Sequence, residues 1–166
     1  MLEKKKILII GGSSGIGLAV AKQARRHGGQ VVIASRQAVA QKAMLVDVLQ
    51  GECEAHSFID RSGSIVLTSG IAGERIYKGA STMAIINSAT ETLCRALAVE
   101  LAPLRVNTVS PGFVAPKSRE IQDYAGQFPL PRLASTDDAA MAYISLMTNP
   151  YVTGTVLVVD GGARLI

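Results

Sequence analysis

The fold is decided by residues 7–17, ILIIGGSSGIG, in which four apolar residues run into closely spaced glycines. The apolar run predicts a parallel strand buried on both faces. Beyond the glycines, apolar residues recur at helical spacing from Ile16 to about His27, so a helix follows. In a strand–turn–helix context, such glycines let a diphosphate approach backbone N–H groups at a helix N-terminus. The residues assigned to dinucleotide binding are Gly11, Ser13, Ser14, Gly15 and Ile16. The alternative is a tight turn without a ligand.

The rest of the chain predicts strands that alternate with helices. Further strands are expected at Val31–Ala34, Met44–Val46, Ser64–Ser69, Arg105–Ser110 and Thr155–Val159. Helices are expected at Ala38–Lys42, Met83–Leu101 and Asp137–Met147, the last with Ser135 or Thr136 as its N-cap. With 166 residues, 48% of them hydrophobic, the chain fits one dinucleotide-binding domain over 1–166. The fold class is therefore α/β, a doubly wound, Rossmann-like parallel sheet.

Charge and cysteine content exclude several classes of protein. Seventeen basic and 13 acidic residues give a net charge of +4, and the short basic runs carry no interleaved aromatic residues, so no nucleic-acid partner is expected. The apolar run at 7–10 is too short to span a membrane or to form a signal-peptide core. Cys53 and Cys94 are isolated thiols, as is typical of packing roles in a reducing compartment. We expect a cytoplasmic protein without a membrane partner.

The end of the second predicted strand selects the cofactor. An acidic residue there would hold the ribose 2′-hydroxyl of NAD, whereas an arginine can receive a 2′-phosphate. The chain has Ser35-Arg36 and no acid, which favours NADP(H) over NAD(H); the alternative is an arginine that faces solvent. Asp47, after the third predicted strand, is placed near the adenine, or it forms a turn.

Four further motifs follow the glycine turn in a familiar order. They are Gly63–Ser69, Leu97–Pro103, Arg105–Gly112 and Thr153–Gly162. Together they resemble the short-chain dehydrogenase/reductase family. The resemblance implies a nicotinamide cofactor and hydride exchange between a small carbonyl and an alcohol. It also implies that Ser69 orients the substrate oxygen and that Pro111, Gly112 and Val114 lie beside the nicotinamide. A homo-oligomer, paired through the long helix and the last strand, is implied as well.

The chain departs from that family at the acid–base pair. The family has Tyr-x-x-x-Lys on the long helix, where this chain has Met83 and Asn87. A thioether cannot transfer a proton, whereas the amide of Asn87 can still hydrogen-bond a ribose hydroxyl. Tyr77 precedes Lys78 directly, and adjacent residues do not reproduce helix neighbours four apart. Pro116 stands where the nicotinamide loop usually has a threonine.

The chain also has too few residues before Ser64. The family has a central strand and a helix there, but only the 16 residues from Val48 to Gly63 join the flanking strands. Either the strand at Ser64 moves beside the first strand, or a segment is missing from the sequence. We favour the second, because loss of a central strand leaves buried N–H and C=O groups unpaired. The expected fold therefore lacks one central strand and helix.

Three functional hypotheses follow. The leading one is an NADP(H)-dependent oxidoreductase with an atypical active site, in which water or an unidentified group transfers the proton. The second is a non-catalytic NADP(H)-binding sensor or scaffold protein. The third is a remnant chain that binds no nucleotide.

Overall fold

A computed structural model describes residues 1–34 and 59–166. The chain divides into two compact units, Met1–Asp60 and Arg61–Ile166, and each is described by itself. Several predicted features lie outside the described residues. These are Ser35, Arg36, Asp47, Cys53, the helix at Ala38–Lys42, the strand at Met44–Val46 and most of the connection that begins at Val48.

The first unit is a strand–helix–strand element. Its strands β1 (Lys6–Ile10) and β2 (Gln30–Ala34) pair in parallel, with Ile10 opposite Ala34. Helix α1 (Gly15–Arg26) joins them and buries a stripe of alanines together with Val20. All three elements lie within one residue of the prediction, because Gly11 and Gly28 mark both ends of the helix clearly.

The second unit holds a three-stranded parallel sheet in the order β3-β4-β5. Its elements are β3 (Ser64–Thr68), α2 (Ser81–Glu100), β4 (Arg105–Pro111), α3 (Arg119–Ala125), α4 (Thr136–Thr148) and β5 (Val156–Val159). The central strand β4 is buried from Val106 to Ser110. The α/β class with parallel strands is confirmed.

Helices α2 and α4 cover opposite faces of this sheet. Thr68 contacts α4 through a 2.7 Å hydrogen bond with the Tyr143 hydroxyl. The next residue, Ser69, contacts α2 through a 2.9 Å hydrogen bond to Glu91. Since successive side chains of a strand point to opposite faces, the two helices lie on opposite sides. This is the layered arrangement expected of a doubly wound fold.

Helix α4 is fixed at both ends by side chains. At its start, the Ser135 hydroxyl accepts from the Asp138 backbone N–H at 3.0 Å, and the Asp138 carboxylate accepts from the Ser135 backbone N–H at 2.7 Å. The structure thus selects Ser135, not Thr136, as the N-cap. At its end, the Arg105 guanidinium donates to the carbonyl oxygens of Leu146 (2.7 Å) and Met147 (3.0 Å).

Two features differ from what the sequence pattern indicates. Helix α3 was not predicted, because its seven residues carry little apolar periodicity. On α2, the buried residues are Ala84, Asn87 and Cys94, whereas Ile86 and Leu93 of the apolar stripe are half exposed. In the ranges 1–34 and 59–166, no helix combines the length and apolar character needed to cross a membrane.

Candidate functional site

The glycine turn between β1 and α1 leaves open space on its outer side. Gly11 has φ +81° and Gly15 has φ +51°, backbone conformations that side-chain-bearing residues rarely adopt. A Cβ added at either position would have no described atom within 4 Å. The backbone of the turn is therefore accessible to a ligand on this side.

Gly17 serves a different purpose, since it lies against the turn itself. A Cβ there would overlap the carbonyl oxygen of Gly11 and lie 3.0 Å from the Cα of Gly12. Only glycine allows the first turn of α1 to pack this closely on the end of β1.

The N-terminus of α1 carries no compensating negative charge. Its N-cap, Ser14, makes no side-chain capping bond, and the first turn contains no acidic residue. The first intrahelical bond runs from the Leu18 N–H to the Ser14 carbonyl oxygen at 3.1 Å. The N–H groups at the start of the helix lack intrahelical acceptors, and the helix dipole makes this end positive. Ile16 lies in this first turn and is half-buried, Gly11, Ser13, Ser14 and Gly15 are exposed, and Gly12 is buried. The exposed residues border a helix end that is suited to a phosphate group.

In the second unit, the carboxyl ends of β3 and β4 meet beside Asn87. A Cβ on Gly70 would lie 3.1 Å from the Asn87 Nδ2 atom and 3.6 Å from the Pro111 carbonyl oxygen. Asn87 is only 5% exposed, and its amide has no hydrogen-bond partner among the described residues. An amide both donates and accepts hydrogen bonds, so this group is suited to bind a hydroxyl at the sheet edge.

Ser69 directly precedes Gly70 and contacts Glu91, which lies one helical turn after Asn87 on α2. Its backbone N–H donates to the Val109 carbonyl oxygen at 2.9 Å, and its hydroxyl donates to Glu91 Oε1 at 2.9 Å. Because α2 runs down the sheet from the edge, Gly70 is level with Asn87 and Ser69 is level with Glu91. Met83, a turn earlier in the helix, is 52% exposed. The structure brings Ser69 together with a carboxylate, which sequence reasoning missed.

The sequence feature that could have identified Glu91 is its spacing from Met83 and Asn87. Met83, Asn87 and Glu91 recur every four residues, so they lie along one side of α2. The family resemblance draws attention to Met83 and Asn87, and Glu91 lies one further helical turn along.

The loop after β4 is held against its neighbours by backbone contacts. The Gly112 N–H donates to the Val159 carbonyl oxygen at 2.9 Å, and a Cβ on Gly112 would lie 2.8 Å from that of Asp160. Val114 forms a bridge with Ala134. Pro116 then lines a surface groove of about 470 Å³. Pro111, Gly112 and Val114 are thus fixed at the same sheet edge.

Tyr77 is enclosed in an aromatic cluster. Its ring meets Phe113 edge-on at 5.7 Å between centroids, and Phe113 contacts both Tyr124 and Phe128. The Tyr77 hydroxyl is buried and has no hydrogen-bond partner among the described residues. Burial raises the pKa of Tyr77, and the nearby Arg75 opposes this. These contacts fit a packing role rather than proton transfer.

Comparisons with known proteins identify similar chains. A family model described as enoyl-(acyl carrier protein) reductase matches residues 48–164. The short-chain dehydrogenase/reductase ATR9 of Stachybotrys chlorohalonatus is 38% identical over 67% of this chain and 48% of its own length. The human 3-oxoacyl-(acyl-carrier-protein) reductase is 39% identical over 64% of this chain and 47% of its own length. The chain spans about half the length of these curated relatives.

A solved structure is also similar. It is described as a small-chain dehydrogenase in complex with NADPH, and it is 26% identical to this chain. It aligns with a TM-score of 0.85, covering 99% of this chain and 100% of that one.

Proposed function

This chain belongs to the short-chain dehydrogenase/reductase family, and from that membership we propose that it is an NADP(H)-dependent oxidoreductase. It exchanges hydride between a small-molecule carbonyl and the corresponding alcohol. The observation that carries the proposal is the glycine turn, whose open outer side and uncompensated helix N-terminus suit a diphosphate.

The proposed cofactor residues of the first unit hold the diphosphate. Gly11 lines the site, but its N–H donates to the Ala34 carbonyl oxygen. Backbone N–H groups after Gly11, up to Ile16, donate to the diphosphate oxygens, and the hydroxyls of Ser13 and Ser14 are further hydrogen-bonding groups. When bound, a nicotinamide nucleotide supplies the hydride-transferring ring that no side chain can supply.

The preference for NADP(H) rests on Ser35-Arg36. The absence of an acid at the end of β2 and the presence of an arginine favour a 2′-phosphate. Asp47 is assigned to the adenine side. The complex of a similar small-chain dehydrogenase with NADPH supports this choice.

The proposed residues of the second unit act at the nicotinamide and the substrate. Pro111, Gly112 and Val114 border the nicotinamide, and the amide of Asn87, at the sheet edge beside Gly70, binds a ribose hydroxyl. Ser69 orients the substrate oxygen. Because Met83 replaces the usual acid–base residue, the site is atypical.

Paired binding and turnover measurements test this function. NADPH is expected to protect the protein against heating more than NADH does, and Arg36→Ala is expected to remove that difference. Arg26→Ala, which removes an exposed arginine at the end of α1, is the matched control. Across a panel of carbonyl compounds, slow NADPH consumption is expected, and it is lost in Ser69→Ala. Protection of the protein against heating by NADPH, without NADPH consumption on any carbonyl compound, would contradict the proposed catalytic activity.

The alternative function is a non-catalytic NADP(H)-binding sensor or scaffold. It is favoured by the half-exposed thioether of Met83 and the neutral amide of Asn87 at the acid–base positions. It predicts nucleotide binding with no turnover on any carbonyl.

Several expectations stay predictions. They are the single domain over 1–166, the cytoplasmic location, and the lack of nucleic-acid and membrane partners. A homo-oligomer is supported by apolar side chains on α2 that face away from the described parts of the chain, among them Ile85 (71% exposed) and Val99 (80% exposed).

A further inference from the structure

Strand β5 leads into Asp160-Gly161-Gly162, which the proposed function leaves without a role. These residues begin a short turn, residues 160–165, which we call the β5 turn. Gly161 has φ +63° and Gly162 has φ +85°, conformations that glycine adopts far more readily than other residues. The two glycines therefore let the chain pass directly from β5 into the one-turn helix Ala163–Leu165.

The Asp160 carboxylate closes the β5 turn on itself. Its Oδ1 atom accepts from the Gly162 N–H at 2.9 Å, and its Oδ2 atom accepts from the Arg164 N–H at 3.0 Å. The Asp160 side chain is only 9% exposed, so these bonds are largely shielded from water. Because hydrogen bonds to a charged group are stronger than those between neutral groups, the shape of the turn depends on Asp160.

The β5 turn is tied to the loop between β3 and α2, residues 70–80, which we call the β3 loop. The Arg75 guanidinium donates to the Ala163 carbonyl oxygen at 2.8 Å, and Arg164 forms an ion pair with Glu74. Ala163 itself is fully buried. The position of the β3 loop therefore depends on the shape of the β5 turn.

The segments that follow three strands meet at Gly112. A Cβ on Gly112 would lie 2.8 Å from the Asp160 Cβ and 3.4 Å from the Ile71 Cδ1 atom. Ile71 belongs to the β3 loop, Gly112 follows β4, and Asp160 follows β5, so the carboxyl ends of these strands are packed together. In the proposed function, Gly112 borders the nicotinamide. Gly70, next to Ile71, lies against Asn87, which is proposed to bind the ribose.

We infer that Asp160 is a positioning residue for the nicotinamide end of the cofactor. It holds the β5 turn in the shape that fixes the β3 loop and Gly112 at this sheet edge. The inference rests on the proposed function and adds to it a residue that acts through its neighbours. The residues proposed to hold the adenosine and the diphosphate belong to the first unit, so loss of Asp160 should affect the nicotinamide end alone.

Calorimetric titration with two ligands tests this inference. The ligand 2′-phospho-ADP carries the adenosine, 2′-phosphate and diphosphate of NADPH without the nicotinamide riboside. Asp160→Asn keeps the shape of the side chain but removes its charge and one acceptor, so the affinity for NADPH is expected to fall about 10-fold. The affinity for 2′-phospho-ADP is expected to stay unchanged. Asp123→Asn, at an exposed position of α3, is the control and should change neither affinity.

A second readout follows the loop without any nucleotide. The backbone N–H groups of Glu74 and Arg75 both donate to the Ile71 carbonyl oxygen, at 3.1 and 2.8 Å. In Asp160→Asn, hydrogen exchange of these two groups is expected to be about 10-fold faster, and exchange within α1 is expected to stay unchanged. Arg164→Ala, which removes the ion pair with Glu74, is expected to act in the same direction.

The outcomes distinguish this inference from the function on which it rests. Wild-type affinity of Asp160→Asn for NADPH overturns the inference and leaves the proposed cofactor standing. An equal loss of affinity for NADPH and 2′-phospho-ADP also overturns it, because the effect then extends beyond the nicotinamide end. If the wild-type protein binds neither ligand, both the cofactor proposal and the inference fail. If Asp160→Asn does not fold, unchanged NADPH affinity and unchanged exchange in Arg164→Ala overturn the inference.

Discussion

Gly17 packs against the carbonyl group of Gly11 so closely that a Cβ on Gly17 would overlap the Gly11 oxygen. The contact joins the first turn of α1 to the end of β1. The geometry assigned to cofactor binding therefore depends on a glycine that does not itself face the ligand.

Gly17→Ala is expected to weaken both folding and nucleotide binding. Its methyl group must push α1 away from the turn, and overpacking of this kind costs roughly 1–3 kcal/mol in the free energy of unfolding. Urea unfolding and calorimetric titration with NADPH measure the two effects. Lys22→Ala, at an exposed position of the same helix, is the control and should change neither. Unaltered NADPH affinity in Gly17→Ala would argue against the assigned turn.

Arg105 is expected to be a major contributor to the stability of the second unit. It donates to the carbonyl oxygens of Leu146 and Met147, which lie in the last turn of α4 and have no backbone N–H donor within that helix. Burial lowers the pKa of Arg105. Arg105→Ala should lower the free energy of unfolding by about 1.5–3 kcal/mol, because hydrogen bonds to a charged group are lost. Arg105→Lys should recover only part of this, since an ammonium lacks the planar fork. Arg95→Ala, an exposed control, should have little effect in the same urea titration.

Asp138 is expected to make stability depend on pH in the acid range. The Arg132 guanidinium, followed by the N–H and hydroxyl of Ser135, holds the pKa of Asp138 well below its usual range. A carboxyl group whose pKa is lowered by folding stabilises the protein above its unfolded pKa of about 3.9, and that contribution is lost as pH falls further.

Asp138→Asn should therefore lower the free energy of unfolding by about 1 kcal/mol at neutral pH, as for loss of a helix cap. The difference from the wild type should shrink below about pH 4. Asp123→Asn, on the exposed side of α3, is the matched control. An equal difference across the whole pH range would show that the charge of Asp138 has no part in the effect.

Tyr143 is expected to ionise late in an alkaline titration. Burial raises the pKa of Tyr143, and the hydrogen bond with Thr68 opposes this in part. Thr68→Val removes the hydrogen bond that lowers the Tyr143 pKa, so the absorbance change from Tyr143 ionisation should move to still higher pH. Near-ultraviolet absorbance, with Tyr143→Phe to identify the step, measures the shift. The folded state favours the neutral phenol, so its contribution to stability is present below the unfolded pKa of about 10 and is lost as pH rises. A Tyr143 step that moves to lower pH in Thr68→Val would contradict the hydrogen bond.

Most of the fold could be read from local patterns. The apolar runs of β1, β4 and β5 and the glycines around α1 specify their elements almost to the residue. Helix α3 could not be predicted in this way, since a seven-residue helix is stabilised mainly by the tertiary packing of Ala125 and Tyr124.

The candidate site was harder to predict than the fold. The glycine turn is a local feature, so its geometry follows from a short segment. The pairing of Ser69 with Glu91 joins residues 22 positions apart and depends on how far α2 is displaced along β3. Nothing in either segment alone fixes that register. The burial of Asn87 likewise follows from the close approach of Gly70 and Gly73, a tertiary contact.

The most direct test of the central claim is a calorimetric titration of NADPH and, separately, NADH into this chain at one salt concentration. The account predicts saturable binding at one site, in the micromolar range for NADPH and weaker for NADH. Absence of saturable binding by either nucleotide would contradict the assignment of the glycine turn. Tighter binding of NADH would contradict the role given to Arg36.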